Sequence, residues 1–157
     1  MASSTLVSLL GPEIQTKEGI VSTENALANK KVVGIYFSAH WCPPCRAFTP
    51  LLSTFYEDLV EDHDDVEIVF VSSDKEVSGF DEYWSEMTFK ALPYVHRERK
   101  AALSEHFQVK FIPTLVFVNE QGEVITKDGV QLLNSARGRV DLFRKELFNK
   151  PSIDAQI

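Results

Sequence analysis

Tyr36-Phe37-Ser38-Ala39-His40-Trp41-Cys42-Pro43-Pro44-Cys45-Arg46 carries the only two cysteines of a 157-residue chain, with two residues between them. On a helical turn, positions i and i+3 share a face, so the two sulfurs come within bonding reach. Upstream, Val32-Val33-Gly34-Ile35-Tyr36-Phe37 is a continuous apolar run, the pattern of a strand buried on both faces. Downstream, Phe48, Leu51, Leu52, Phe55, Tyr56, Leu59 and Val60 recur at helical spacing. The pair therefore stands where a strand gives way to a helix, with Cys42 near the helix N-terminus. Free backbone N–H groups and the helix dipole favour a thiolate there, and the thiolate is the reactive form of cysteine. The stretch predicts a dithiol that opens and closes.

The rest of the chain narrows the setting. At this length it holds one well-packed domain and is too short for two comfortable ones. A formal net charge of −7 argues against a nucleic-acid partner, which demands a basic surface. No apolar run is long enough to span a bilayer, so no membrane partner is expected. Met1 to Leu10 lacks a basic n-region and a small-residue cleavage pattern, which argues against a signal peptide. A lone CxxC in that context reads as a redox or metal motif of a reducing compartment, and the cytoplasm is the expected location, with the nucleus as a second one. Zinc and iron–sulfur sites need about four ligands. The two cysteines supply half, and His40, His63, His96 and His106 show no ligand spacing. Only a site shared between two copies would complete a set, so no metal and no other cofactor is expected in a monomer.

In chain order, Leu6 to Leu10 reads as a short docked segment ending in a turn at Gly11-Pro12. Gly19-Ile20-Val21 reads as an edge strand, and Ser22 or Thr23 as the cap of a brief helix through Leu27. Pro50 interrupts the long helical pattern, where it removes a backbone hydrogen bond and is expected to kink the helix. Glu61 to Asp65 reads as a solvated acidic connection, and Val66 to Val71 as a second buried strand. Phe80, Tyr83, Trp84 and Met87 predict another helix, Ala91 to Tyr94 an extended segment, and Glu98 to Phe107 a third helix. Thr114 to Val118 and Val124 to Thr126, joined through Gly122, predict an antiparallel hairpin. A last helix carries Val140, Phe143, Leu147 and Phe148, with Asn134 or Ser135 as its expected cap. This alternation gives an α/β chain with a mixed sheet covered on both faces. A site belongs at the C-terminal end of the first long strand, where the CxxC lies.

Trp41-Cys42-Pro43-Pro44-Cys45 on that junction resembles the thioredoxin fold. Pro50 matches the proline of its kinked helix, and Ile112-Pro113-Thr114 resembles its cis-proline loop. Within that fold, the stretch from Tyr36 to Arg46, Phe48-Thr49-Pro50-Leu51, Val69 to Asp74 and Ala91-Leu92-Pro93-Tyr94 are similar to the nucleoredoxin and tryparedoxin branch, nearest to small single-domain nucleoredoxin-like proteins. The resemblance implies a thioredoxin-like fold: a central mixed β-sheet flanked by helices on both faces, in one domain over residues 1–157. Residues 6–149 form its core and 150–157 a loose tail. Thioredoxins usually carry a buried Asp six residues before the first cysteine, and this chain has Tyr36 there. The branch's Met-Pro-Trp is Met87-Thr88-Phe89, and the Phe-Pro-Trp of longer relatives is missing.

The implied function is that of a thiol–disulfide oxidoreductase reducing protein disulfides, with an upstream thiol or reductase as electron donor. Cys42 is the expected nucleophile and Cys45 the resolving thiol. Pro113 is expected to lie cis against the cysteines, with the backbone of Ile112 free to pair with a substrate strand. Trp41 either shields Cys42 and contacts substrate or packs on the adjacent loop. His40 either turns its ring toward Cys42 or is a solvated loop histidine. Pro43 and Pro44 stiffen the first helical turn. Two rival readings remain. One is a redox-sensitive protein-binding or signalling module with little turnover. The other is a periplasmic thiol reductase, which predicts an export signal or anchor that Met1 to Pro12 does not supply.

Overall fold

The computed structural model describes residues 2–151. Its elements, in chain order, begin with α1 (Ser4–Leu10), β1 (Glu13–Thr16), β2 (Gly19–Ser22), α2 (Thr23–Ala26) and β3 (Val32–Ser38). The middle of the chain forms α3 (Pro43–Asp62), β4 (Val66–Ser72), α4 (Val77–Trp84), β5 (Lys90–Ala91) and α5 (Arg97–His106). It closes with β6 (Thr114–Asn119), β7 (Val124–Thr126), α6 (Gly129–Ser135) and α7 (Val140–Phe148).

Every residue of β3 is buried, and its two faces feed separate cores. Val32 and Tyr36 pack into one, Val33, Ile35 and Phe37 into the other. The same alternation runs through β4, with Ile68 and Phe70 opposite Val69 and Val71, and through β6, with Leu115 and Phe117 opposite Val116 and Val118. Side chains alternate across a strand, so an unbroken apolar run stays dry only where helices cover both faces. One face is covered by α3, α4, α6 and α7 through Phe55, Phe80, Leu133 and Phe143. The other is covered by α1 and α5 through Leu6, Leu10 and Leu103.

The sheet has the order β2-β1-β5-β4-β3-β6-β7. β3 pairs in parallel with β4 from Val32↔Val66 to Ser38↔Ser72 and antiparallel with β6 from Val32↔Asn119 to Phe37↔Thr114. The mixed sheet, the hairpin of β6 with β7 and the edge position of β2 are as the sequence predicts. Ser22 caps α2, its hydroxyl accepting from the Asn25 N–H at 3.1 Å.

Four details depart from the sequence reading. Residues Glu13–Thr16, for which no element was expected, form β1 and bridge β2 to β5. α4 stops at Trp84, so Met87 joins the core from the following turn. The C-terminal helical pattern is two helices: Asn134 and Ser135 close α6, and Arg139 precedes α7. Arg137 (φ 54°) and Gly138 (φ 72°) both take left-handed backbone between them, which ends a helix and cannot continue one. The acidic stretch is not wholly solvated either. The Asp65 carboxylate accepts two hydrogen bonds from Arg144 of α7, at 2.7 and 3.0 Å. The tail expected from 150 onward falls, past Pro151, outside the described residues.

Two stability predictions arise here. A Cβ at Gly129 would lie 2.5 Å from the Leu115 carbonyl oxygen, so Gly129→Ala is expected to destabilise the protein by about 1–3 kcal/mol in urea denaturation. Hydrogen bonds from Arg144 hold the Asp65 carboxyl below the usual carboxylate range. A carboxyl depressed in the folded state stabilises above its unfolded pKa of about 3.9, and that contribution is lost as pH falls through the folded value. Arg144→Met is therefore expected to cost about 0.2–1 kcal/mol at neutral pH. Denaturation repeated in acid should show the gap to wild type closing.

Candidate functional site

At the C-terminal end of β3, Ala39-His40-Trp41 turns the chain into α3. Cys42 is the N-cap residue of that helix, in extended conformation, and its Sγ accepts the Cys45 N–H at 3.3 Å. Pro43 and Pro44 occupy the first helical positions, where a missing N–H costs nothing. Cys42 and Cys45 are joined as a disulfide, with a Cα–Cα distance of 5.2 Å. Cys42 is 5% exposed and Cys45 0%, so one sulfur stands at the rim and the other behind it. With prolines at the first two helical positions, the Cys45 N–H is the backbone donor that the positive end of the helix turns to the rim sulfur.

The loop ahead of Cys42 is fastened from β4. Asp74 is buried, and its carboxylate accepts the His40 N–H at 2.8 Å and the Ser72 hydroxyl at 2.7 Å. The Trp41 indole donates to the Ser73 carbonyl at 3.1 Å, and the Ser73 N–H donates to the Ser38 carbonyl at 2.8 Å. Trp41 itself is 56% exposed. Behind the disulfide lies a dry chain of hydroxyls. The Cys45 carbonyl can only accept, so Thr49 donates to it at 2.9 Å. Thr49 Oγ1 must then accept from both Tyr36, at 2.8 Å, and Tyr83, and the Tyr83 oxygen accepts from Ser38 at 2.8 Å. Burial, and then the neighbouring Tyr83, push the Tyr36 phenol well above its usual range. Tyr36 stays protonated at neutral pH and takes no proton from either thiol. The His40 ring stacks on Tyr83 at 5.3 Å between centroids.

The other wall comes from the segment before β6. The Ile112–Pro113 peptide is cis, and Ile112 packs against Ala39, Cys42 and Cys45. Cys42 Sγ lies 3.9 Å from the Ile112 carbonyl oxygen. Phe111 is 75% exposed, and together with Trp41 it lines a groove of about 310 Å³ beside the disulfide. A larger cavity, about 550 Å³ between α6 and α7, shares no residue with the disulfide's surroundings. Among the described residues no three His, Cys, Asp or Glu side chains gather as a metal site, and no helix is long and apolar enough to cross a membrane.

The structure thus brings His40, Trp41, Cys42, Pro43, Pro44, Cys45, Ile112 and Pro113 to one place. Sequence reasoning missed Phe111, Asp74, Tyr83, Thr49 and Ser38. Thr49 had a signal, standing four residues after Cys45 on the same helical face. Tyr83 was hidden in an apolar stripe, and Asp74 looked like a strand end.

The family model described as thioredoxin-like matches residues 29–124. Nucleoredoxin of Homo sapiens is 43% identical over 114 residues, covering 72% of this chain and 26% of its own length. The chain thus spans about a quarter of the length of the curated nucleoredoxins it matches. Tryparedoxin of Trypanosoma brucei brucei is 41% identical over 113 residues, covering 70% of this chain and 75% of its own. Among solved structures, native tryparedoxin I from Crithidia fasciculata superposes with a TM-score of 0.79 at 36% identity, covering 87% of this chain and 95% of that one.

Thr49→Val keeps the side-chain shape and removes the shared acceptor of two buried phenols. Unfolding of the oxidised protein in urea should show a loss of about 1–3 kcal/mol.

Proposed function

The chain belongs to the thioredoxin-like family, in its nucleoredoxin and tryparedoxin branch, and on that footing we propose that it is a thiol–disulfide oxidoreductase that reduces protein disulfides. The observation that carries the reading is the division between the two sulfurs. Cys42 caps a helix N-terminus at the rim, and Cys45, already at bonding distance, is sealed behind it.

In the reduced protein, the Cys42 thiolate attacks one sulfur of a substrate disulfide. The substrate S–S bond breaks, a mixed disulfide forms, and the leaving thiolate takes a proton from water. Cys45, deprotonated in turn, attacks Cys42 Sγ and expels the second substrate thiolate, which is also protonated. Two electrons have passed to the substrate, and the protein holds its disulfide. An external thiol or reductase donor returns it to the dithiol by the reverse exchange. The Cys45 N–H and the helix dipole stabilise the attacking Cys42 thiolate. Ile112 and Pro113 form the wall that an incoming chain meets, with the Ile112 carbonyl open to a substrate N–H. Trp41 and Phe111 offer the apolar contact a folded or extended protein substrate requires. No cofactor beyond the disulfide enters this cycle. We read the protein as a single-domain monomer of the cytoplasm or nucleus.

Insulin reduction with dithiothreitol tests the proposal. Cys42→Ser is expected to abolish turnover and Cys45→Ser to accumulate mixed disulfides with substrates. A wild-type protein no faster than the double serine variant would refute it. Partner capture unchanged in that variant would favour the binding-module reading.

A further inference from the structure

The groove between Trp41 and Phe111 has a charge character opposite to that of the chain. Its apolar wall is Trp41, Phe111, Ile112 and Val109, and two lysines, Lys100 of α5 and Lys110, stand on its lining. Among the described residues lining it there is no carboxylate, although the whole chain carries a formal charge of −7. Neither lysine has an ion-pair partner among the described residues. Glu105 faces the adjoining groove, which Lys110 also lines, and the Asp74 carboxylate is turned inward onto His40 and Ser72. A third cation, Lys75, stands 5.9 Å from the Trp41 ring centre.

Unpaired ammonium groups beside exposed aromatics make a local positive field in a chain whose net charge is negative. Such fields set encounter rate and partner choice more than they set affinity. The apolar wall needs an apolar side chain to cover it, which a bare anion does not supply. We propose that this groove selects disulfide-bearing polypeptide segments in which an acidic residue and an apolar residue flank the reactive cysteine. The acidic side chain meets Lys100 and Lys110, and the apolar one sits between Trp41 and Phe111. This rests on the reading of Cys42 and Cys45 as the reacting pair, whose exchange step is unchanged by it.

The test uses mixed disulfides of a common small thiol with two peptides, identical except for Asp or Lys beside the cysteine, and single-turnover rates with the reduced protein. Wild type should react with the Asp peptide about tenfold faster at low ionic strength. Added salt should shrink that ratio. Lys100→Glu/Lys110→Glu should reverse it, and Lys100→Gln/Lys110→Gln should flatten it. Equal rates in wild type, or a preference for Asp that survives in the double Glu variant, would overturn the proposal. Glutathione disulfide, which carries carboxylates and no apolar side chain, should react more slowly than the Asp peptide. A faster reaction with the same lysine dependence would show a small anionic disulfide to be the occupant instead. Thiol-free peptides with Ser for Cys, followed by Trp41 fluorescence, separate the two readings. Tighter binding of the Asp peptide by a protein that reduces neither disulfide would leave the groove assignment standing and remove the reductase. No binding preference and no rate preference together would remove the groove assignment alone if both disulfides are still reduced.

Discussion

Burial of β3 on both faces is the constraint from which the site follows. A strand whose every residue is dry has no freedom of register, because a slip of one position would exchange its two cores. Its end is therefore fixed in space, and so is the loop that leads into α3. Pairing with β4 on one side and β6 on the other brings two further loops to the same end of the sheet. The first carries Ser73 and Asp74, the second Phe111, Ile112 and Pro113. The disulfide lies where the three meet.

Those loops play unlike parts. The β4 loop and the hydroxyl chain of Ser38, Tyr83, Thr49 and Tyr36 hold the site from below with satisfied hydrogen bonds. A buried polar group in such a network is costly to disturb, so this side is rigid. The β6 side is open: Phe111 makes little contact with the protein, and Ile112 covers the sulfurs from above. A sulfur that must be approached by another disulfide needs one wall of each kind. In the proposed exchange the fixed wall positions the thiolate, and the open wall admits the substrate.

Much of this was legible in the sequence where the rule involved is local. The CxxC spacing, the three apolar runs, the helical stripe after Cys45 and the Gly122 turn each report on neighbours within a few residues. The reading failed where the deciding contact crosses the chain. Asn134 and Ser135 have the right chemistry for a cap, yet the left-handed pair Arg137 and Gly138 moved the helix start past them. Asp65 looked solvated until α7 brought Arg144 to it. Tyr83 fits an apolar stripe equally well with or without a hydroxyl that bonds Thr49, 34 residues away.

By itself, the sequence determined that two sulfurs would share a helical turn at the end of a buried strand, because i to i+3 geometry and side-chain alternation are properties of the local backbone. Tertiary structure alone decided which sulfur would be sealed, where the His40 ring would point and which aromatics would stay in water. Each of those outcomes depends on atoms delivered by another strand. Cys45 is dry because α3 packs on the sheet, its Thr49 bonded to Tyr36 of β3, and Cys42 keeps its small exposure because Ile112, 70 residues on, covers it only in part. Solvent access is a sum over everything nearby in space, and the order of residues along a chain does not contain that sum until the sheet is assembled.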